Sequence, residues 1–128
     1  MNLPKLIQGG MGVAISDWRL AKAVSKLGQL GVVSGTGISR VLASRLMDGD
    51  LSGNVRRALA NFSLPGPVQS IIDRYYTPGG KSPEIPYKTP AAYTIKPPTF
   101  LDQITAIANF VEVYLAKEGH NGVVGINL

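Results

Sequence analysis

Cysteine is absent from the 128 residues, which excludes a disulfide scaffold, a thiolate metal site and a cysteine nucleophile. Histidine occurs once, at His120, and tryptophan once, at Trp18. No apolar run approaches the ~20 residues of a membrane-spanning helix. The start, Met1-Asn2-Leu3-Pro4-Lys5, lacks the apolar stretch of a signal peptide. These two absences predict a cytoplasmic protein without a membrane partner. Asp17, Asp48, Asp50, Asp73, Glu84, Asp102, Glu112 and Glu118 give no carboxylate pair spaced for glycoside or metal chemistry, and most fall on predicted polar helix faces. There is also no basic stripe with interleaved aromatics. The net charge of +5 comes from residues such as Arg19, Lys22, Arg40 and Arg56, spread over helical stretches. They read as solvated faces and predict no nucleic-acid partner.

Apolar residues make up 45% of the chain, enough for the core of one domain. An apolar strand over residues 4–8 runs into Gln8-Gly9-Gly10-Met11-Gly12. Three glycines within four residues let a ligand approach the main chain and permit a positive φ. Ser16, as N-cap, and Asp17 then open a helix over 17–27. Its expected buried stripe is Leu20, Val24 and Leu27, with Ala21 and Ala23 permitting close packing, and Gly28 ends it. Strand, glycine turn and helix together suit a planar or phosphorylated cofactor.

A second strand over 30–34 ends in another glycine turn, Gly35-Thr36-Gly37. Helices are expected over 39–47 and 53–61. Pro65-Gly66-Pro67 and Thr77-Pro78-Gly79-Gly80 read as breakers around a short helix at 68–76. Residues 62–98 form a Pro-rich insert, in which 77–98 is a long excursion. Its Tyr75, Tyr76, Tyr87 and Tyr93 suit a lid, a partner surface or a locally packed loop. The longest helix covers 100–117, with Phe100, Ile104, Ile107, Val111 and Leu115 on one face and Thr99 with Asp102 as a capping box. Gly119 stops it, and a third strand follows over 122–128.

Strands alternating with helices predict an α/β fold with a parallel sheet. A doubly wound sheet and a (β/α)₈ barrel both fit. The dinucleotide fingerprint fails twice, with Ile15 and Arg40 where a third glycine belongs, and no Gly-Lys-Ser/Thr of a P-loop occurs. Weight shifts to the barrel. His120 precedes the third strand, on the barrel face opposite an active site, and reads as a surface or capping residue.

Ile7-Gln8-Gly9-Gly10-Met11-Gly12, Leu20-Ala21-Lys22-Ala23-Val24-Ser25 and Gly28-Gln29-Leu30-Gly31-Val32-Val33 together resemble the start of the nitronate monooxygenase (2-nitropropane dioxygenase-like) family. Flavin-dependent enoyl-[acyl-carrier-protein] reductases belong to the same group. Gly125-Ile126-Asn127-Leu128 resembles the family's third strand, and the likeness spans 4–61 and 99–128. It implies the N-terminal part, about three βα units, of an FMN-binding (β/α)₈ TIM barrel, which needs about 250 residues in all. The family's catalytic His and phosphate loops lie in later strands, so no catalytic residue is assigned.

The cofactor-binding residues that the resemblance implies are Gly9, Gly10, Met11, Gly35 and Asn127, facing the ring of FMN. Read without the resemblance, the first three make a tight turn with a buried Met, and Asn127 bonds to a neighbouring loop. The implied activity is oxidation of alkyl nitronates, a small-molecule substrate, with O₂. The alternatives are an enoyl reductase or a non-catalytic barrel remnant. An ending inside an apolar strand suggests a fragment, either completed by another chain or assembled as a homo-oligomer.

Overall fold

The computed structural model describes residues 2–128. Its elements are α1 (Trp18–Lys26), β1 (Gly31–Ser34), α2 (Ile38–Met47), α3 (Asn54–Leu59), α4 (Pro65–Tyr75), α5 (Thr99–Lys117) and β2 (Val124–Asn127). The fold is mixed α/β, and β1 and β2 pair in parallel with Gly31 opposite Val124 and Ser34 opposite Asn127. Two compact units arise, Met1–Ile38 with Asn109–Leu128, and Ser39–Ala108. No helix among the described residues is long and apolar enough to cross a membrane.

In the first unit the sheet is buried along β1 and half-exposed along most of β2. The expected strand at 4–8 shrinks to a single parallel bridge between Ile7 and Leu30. Backbone pairing stops there because a side chain takes over. Leu30 N–H bonds to Leu6 O and Gln8 N–H to Leu30 O, each at 3.0 Å. Val32 N–H then donates to the Gln8 Oε1 amide oxygen at 3.2 Å. The Ser16 hydroxyl donates to Val32 O at 2.9 Å, and Ser34 N–H reaches Ser16 O at 2.8 Å. Ser16 is therefore not the N-cap of α1. That role falls to Asp17, whose carboxylate accepts from Arg19 N–H and Leu20 N–H, a cap worth about 1 kcal/mol.

The expected inward stripe of α1 is also corrected. Leu20 and Leu27 are 42% and 78% exposed, while Ala21 and Ser25 are buried. The helix lies too close to the sheet for leucine. A Cβ on Gly31 would strike the backbone of Ala21, and one on Gly122 would strike Ser25. Ser25 Oγ donates to Val123 O at 2.7 Å across this contact. Ala21, Val33 and Ala116 form the small buried cluster, with Trp18, Val124 and Ile126 packed against it.

In the second unit Asp50 is buried and stitches the start of α3. It accepts from Val55 N–H at 3.1 Å, Arg56 N–H at 2.9 Å and Arg56 Nε at 3.1 Å. Pro65-Gly66-Pro67 does not break structure but forms the first turn of α4. Proline is tolerated there because the first N–H groups of a helix have no intrahelical partner. The excursion is tied to α2, whose terminal carbonyls Leu46 O and Met47 O accept from Thr77 N–H and Lys81 N–H at 3.1 and 2.8 Å. Farther on, Tyr87 donates to Asp48 at 2.7 Å and Tyr93 to Asp102 at 3.2 Å.

The periodic face of α5 is as expected at Ile104, Ile107, Val111 and Leu115, all buried. Its capping box does not form. Thr99 is already helical, Leu101 N–H bonds to Pro98 O at 2.9 Å, and Asp102 is engaged by Tyr93. Glu112, expected on a polar face, is buried at 3% exposure and accepts from Trp18 N–H at 2.9 Å.

Candidate functional site

Because β1 and β2 run parallel, their C-terminal ends open on the same side, and the turn after Ile7 arrives there too. Ser34 Oγ donates to Met11 O at 3.2 Å. The Asn127 side-chain amide reaches the Met11 thioether sulfur at 3.0 Å, across 116 residues of sequence. Gly35 N–H donates to Asn127 O at 2.7 Å. Gly10, Met11, Gly35 and Asn127 are thus brought together, and Gly9 is the chain neighbour of Gly10. Met11 is 72% exposed, not the buried methionine that an ordinary turn would carry, and Asn127 is also exposed.

The glycines differ in what requires them. Gly10 has φ +63°, and its Cβ would run into the Val32 side chain, 2.9 Å from Val32 Cβ. A Cβ on Gly35 would lie 2.7 Å from Asn127 O. Packing of the chain on itself therefore accounts for both. Gly9 is different, since among the described residues a Cβ there meets only Met11 Cγ, at 3.9 Å. Gly9 is the glycine of the turn that leaves room for a visitor.

The loop from Gly12 to Ile15 folds over by Ile15 N–H and Ser16 N–H bonding to Gly12 O, at 3.2 and 2.9 Å. Ala14 holds φ +58°, uncommon for a residue with a Cβ. Val13 and Ile15 stay exposed beside Met11.

Charge at this end of the sheet weighs against an anionic ligand. A helix N-terminus attracts phosphate through its uncompensated N–H groups, but at α1 these are already taken by the Asp17 and Glu112 carboxylates. No lysine or arginine lies in residues 9–15, 34–37 or 126–128. A phosphate does not fit here. What this end of the sheet offers is open backbone at Gly9, the exposed apolar side chains of Met11 and Val13, and the Asn127 amide.

His120 stands elsewhere, just after α5. Its Nε2 is 2.6 Å from Ala116 O, and its Nδ1 accepts from Gly122 N–H at 3.1 Å. The ring caps the helix and holds the approach to β2. Among the described residues no group of His, Cys, Asp or Glu could hold a metal ion.

Gln8 and Ser16 carry no motif of a site residue. Gln8 is polar beside an apolar strand, where a side chain must find a partner, and Ser16 reads as a helix N-cap. No family model, no curated protein and no solved structure matches the chain.

Proposed function

We propose that the chain holds the flavin ring of FMN at the C-terminal ends of β1 and β2, as the first part of a (β/α)₈ barrel. The reaction proposed for that barrel is oxidation of an alkyl nitronate with O₂, in the cytoplasm. The observation that carries this reading is the meeting of Met11 with Asn127 beside Gly9 and Gly35 at one end of a parallel sheet. FMN supplies the electron transfer between nitronate and O₂. The chain's own residues bind and orient. Met11 and Val13 offer an apolar face, Asn127 an amide that donates and accepts, and Gly9 a main chain open to close approach. The exposed Val13 and Ile15 also suit an acyl chain, which favours an enoyl thioester reductase as the second reading.

Fluorescence titration with riboflavin and with FMN tests the reading. Both should bind, and equally, because the contacts reach the ring and not the phosphate. Gly9→Val should weaken both about tenfold while leaving thermal stability unchanged. Gly10→Val is a poor probe, since Val32 excludes the side chain whether or not a ligand binds. A polypeptide carrying this chain within a whole barrel should purify yellow and consume O₂ with a nitronate. Absence of riboflavin binding to the chain, or equal binding by Gly9→Val, would overturn the site. Reduction of an enoyl thioester by a nicotinamide cofactor, without nitronate oxidation, would select the second reading.

A further inference from the structure

We infer that Gln8 and Ser16 act as a positioning pair that sets the Met11 loop over the end of β1. The inference rests on the flavin reading for its consequence, but not for its geometry. A parallel strand would satisfy the outer edge of β1 with backbone alone. Here the backbone leaves the sheet after Gln8 N–H, and two side chains continue the ladder.

The network has one consistent direction. Val32 N–H needs an acceptor, so the amide oxygen of Gln8 must face it. The amide nitrogen of Gln8 then points to Ser16 Oγ and donates to it. Ser16 has a single hydroxyl hydrogen, which goes to Val32 O. Reversing the Gln8 amide would set donor against donor at Val32. Ser16 is buried and Gln8 half-buried, so water is a poor substitute.

The pair fixes both ends of the segment 9–15. Gln8 is its entry, and Ser16 is its exit, held also by Ser34 N–H on Ser16 O and by Ser16 N–H on Gly12 O. Between these ends the loop touches the sheet through Met11 O on Ser34 Oγ and through the thioether on Asn127. With the ends pinned, Met11 has one place to go. Freed at either end, the loop keeps its residues but loses the register that sets the thioether and carbonyl against Asn127 and Ser34. Neither Gln8 nor Ser16 need touch a ligand, so both are positioning residues.

The experiment uses the full chain with a ¹³C label on the methionine methyls, the Met11 signal being assigned from Met11→Leu. The variants are Gln8→Leu, Ser16→Ala and Ser16→Thr. In the first two, the Met11 methyl should lose its nuclear Overhauser contact with the Asn127 side-chain amide. Val32 N–H should also exchange with solvent faster, by about tenfold or more. Ser16→Thr keeps the hydroxyl and should restore both signals. Riboflavin, the probe for the ring, should bind about tenfold more weakly to Gln8→Leu and Ser16→Ala and normally to Ser16→Thr. The Trp18 fluorescence of the folded state should be retained in all three. An unchanged Met11–Asn127 contact in Gln8→Leu and Ser16→Ala overturns the inference. So does failure of Ser16→Thr to rescue. If the wild-type chain takes up no riboflavin, the flavin reading falls, and the methyl contact and Val32 exchange still decide the positioning role.

Discussion

Gly31→Ala adds one methyl group at the tightest helix–strand contact of the first unit. The new Cβ would overlap Ala21 O and sit 2.7 Å from Ala21 C and 2.9 Å from Ala21 Cα. Carbon atoms attract best at about 3.5–4.0 Å, so α1 must retreat by about 1 Å. No rotamer change relieves this, because every atom struck is backbone. Retreat also strains Ser25 Oγ–Val123 O at 2.7 Å and Trp18 N–H–Glu112 at 2.9 Å. Overpacking costs about 1–3 kcal/mol, and a weakened hydrogen bond adds about 1 kcal/mol. We expect a loss of about 3 kcal/mol, a large share of a typical domain's stability. Urea unfolding followed by Trp18 fluorescence reads it, since Trp18 is the chain's one tryptophan and lies in α1. At a slope of about 1–3 kcal/mol per molar urea, the midpoint should fall by about 1–3 M. Gly66→Ala is the control. Gly66 lies in α4 with nothing within 4 Å of an added Cβ, so alanine should stabilise by up to about 1 kcal/mol. A Gly31→Ala midpoint equal to the wild type, or the same sign for both substitutions, would refute the close approach of α1 to β1.

Asp50→Ala should lower stability by about 2–3 kcal/mol by thermal circular dichroism, because it strips acceptors from Val55 N–H, Arg56 N–H and the Arg56 guanidinium. Tyr75→Phe should stabilise by about 1 kcal/mol in the same assay, since Tyr75 is 2% exposed and its buried hydroxyl finds no hydrogen-bond partner among the described residues. Burial pushes the Tyr75 pKa above 10.0, against a smaller lowering by Arg74, and the hydrogen bond to Asp48 does most to raise that of Tyr87. At both groups folding prefers the neutral to the ionised phenol, so their titration leaves stability untouched below pH 10.0 and lowers it as pH rises through the folded values. Absorbance titration at alkaline pH should show one fewer late-ionising group in Tyr75→Phe and likewise in Tyr87→Phe. His120→Ala should cost about 1 kcal/mol in thermal unfolding, through the freed Ala116 O and Gly122 N–H.

The parts legible in the sequence are those governed by local rules. The face of α5 follows from a 3.6-residue period, the stop at Gly119 from its positive φ, and the excursion after Tyr76 from its prolines. What local rules miss is long-range. The inward side of α1 is decided by Gly31 and Gly122, the latter about a hundred residues away, and close contact reverses the usual preference for burying leucine. The strand at 4–8 has an apolar pattern, but Gln8 competes with backbone for Val32. Gly10 and Gly35 stand at the expected end of the sheet, yet their lack of a side chain answers to Val32 and Asn127. That Asn127 bonds to a neighbouring loop is legible from its polarity in an apolar strand, but the choice of Met11 needs the parallel register of β1 with β2.

The side-chain ladder of Gln8 and Ser16 also bears on how copies of this chain can stick together. The N–H groups of Val32 and Ser34 in β1, and of Leu30 just before it, are all engaged on the edge away from β2. The carbonyls of Leu30 and Val32 are engaged there as well. A foreign strand finds little to template on that border. Among the described residues β2 has a ladder partner on one side only. Accretion is then one-sided. Two copies joined β2 to β2 would leave at each extreme only the short edge around Ile7, too brief a template to carry growth by strand addition far beyond a pair. A concentration series by sedimentation should accordingly level off at twice the chain mass, and Gln8→Leu, by unsealing β1, should remove that ceiling.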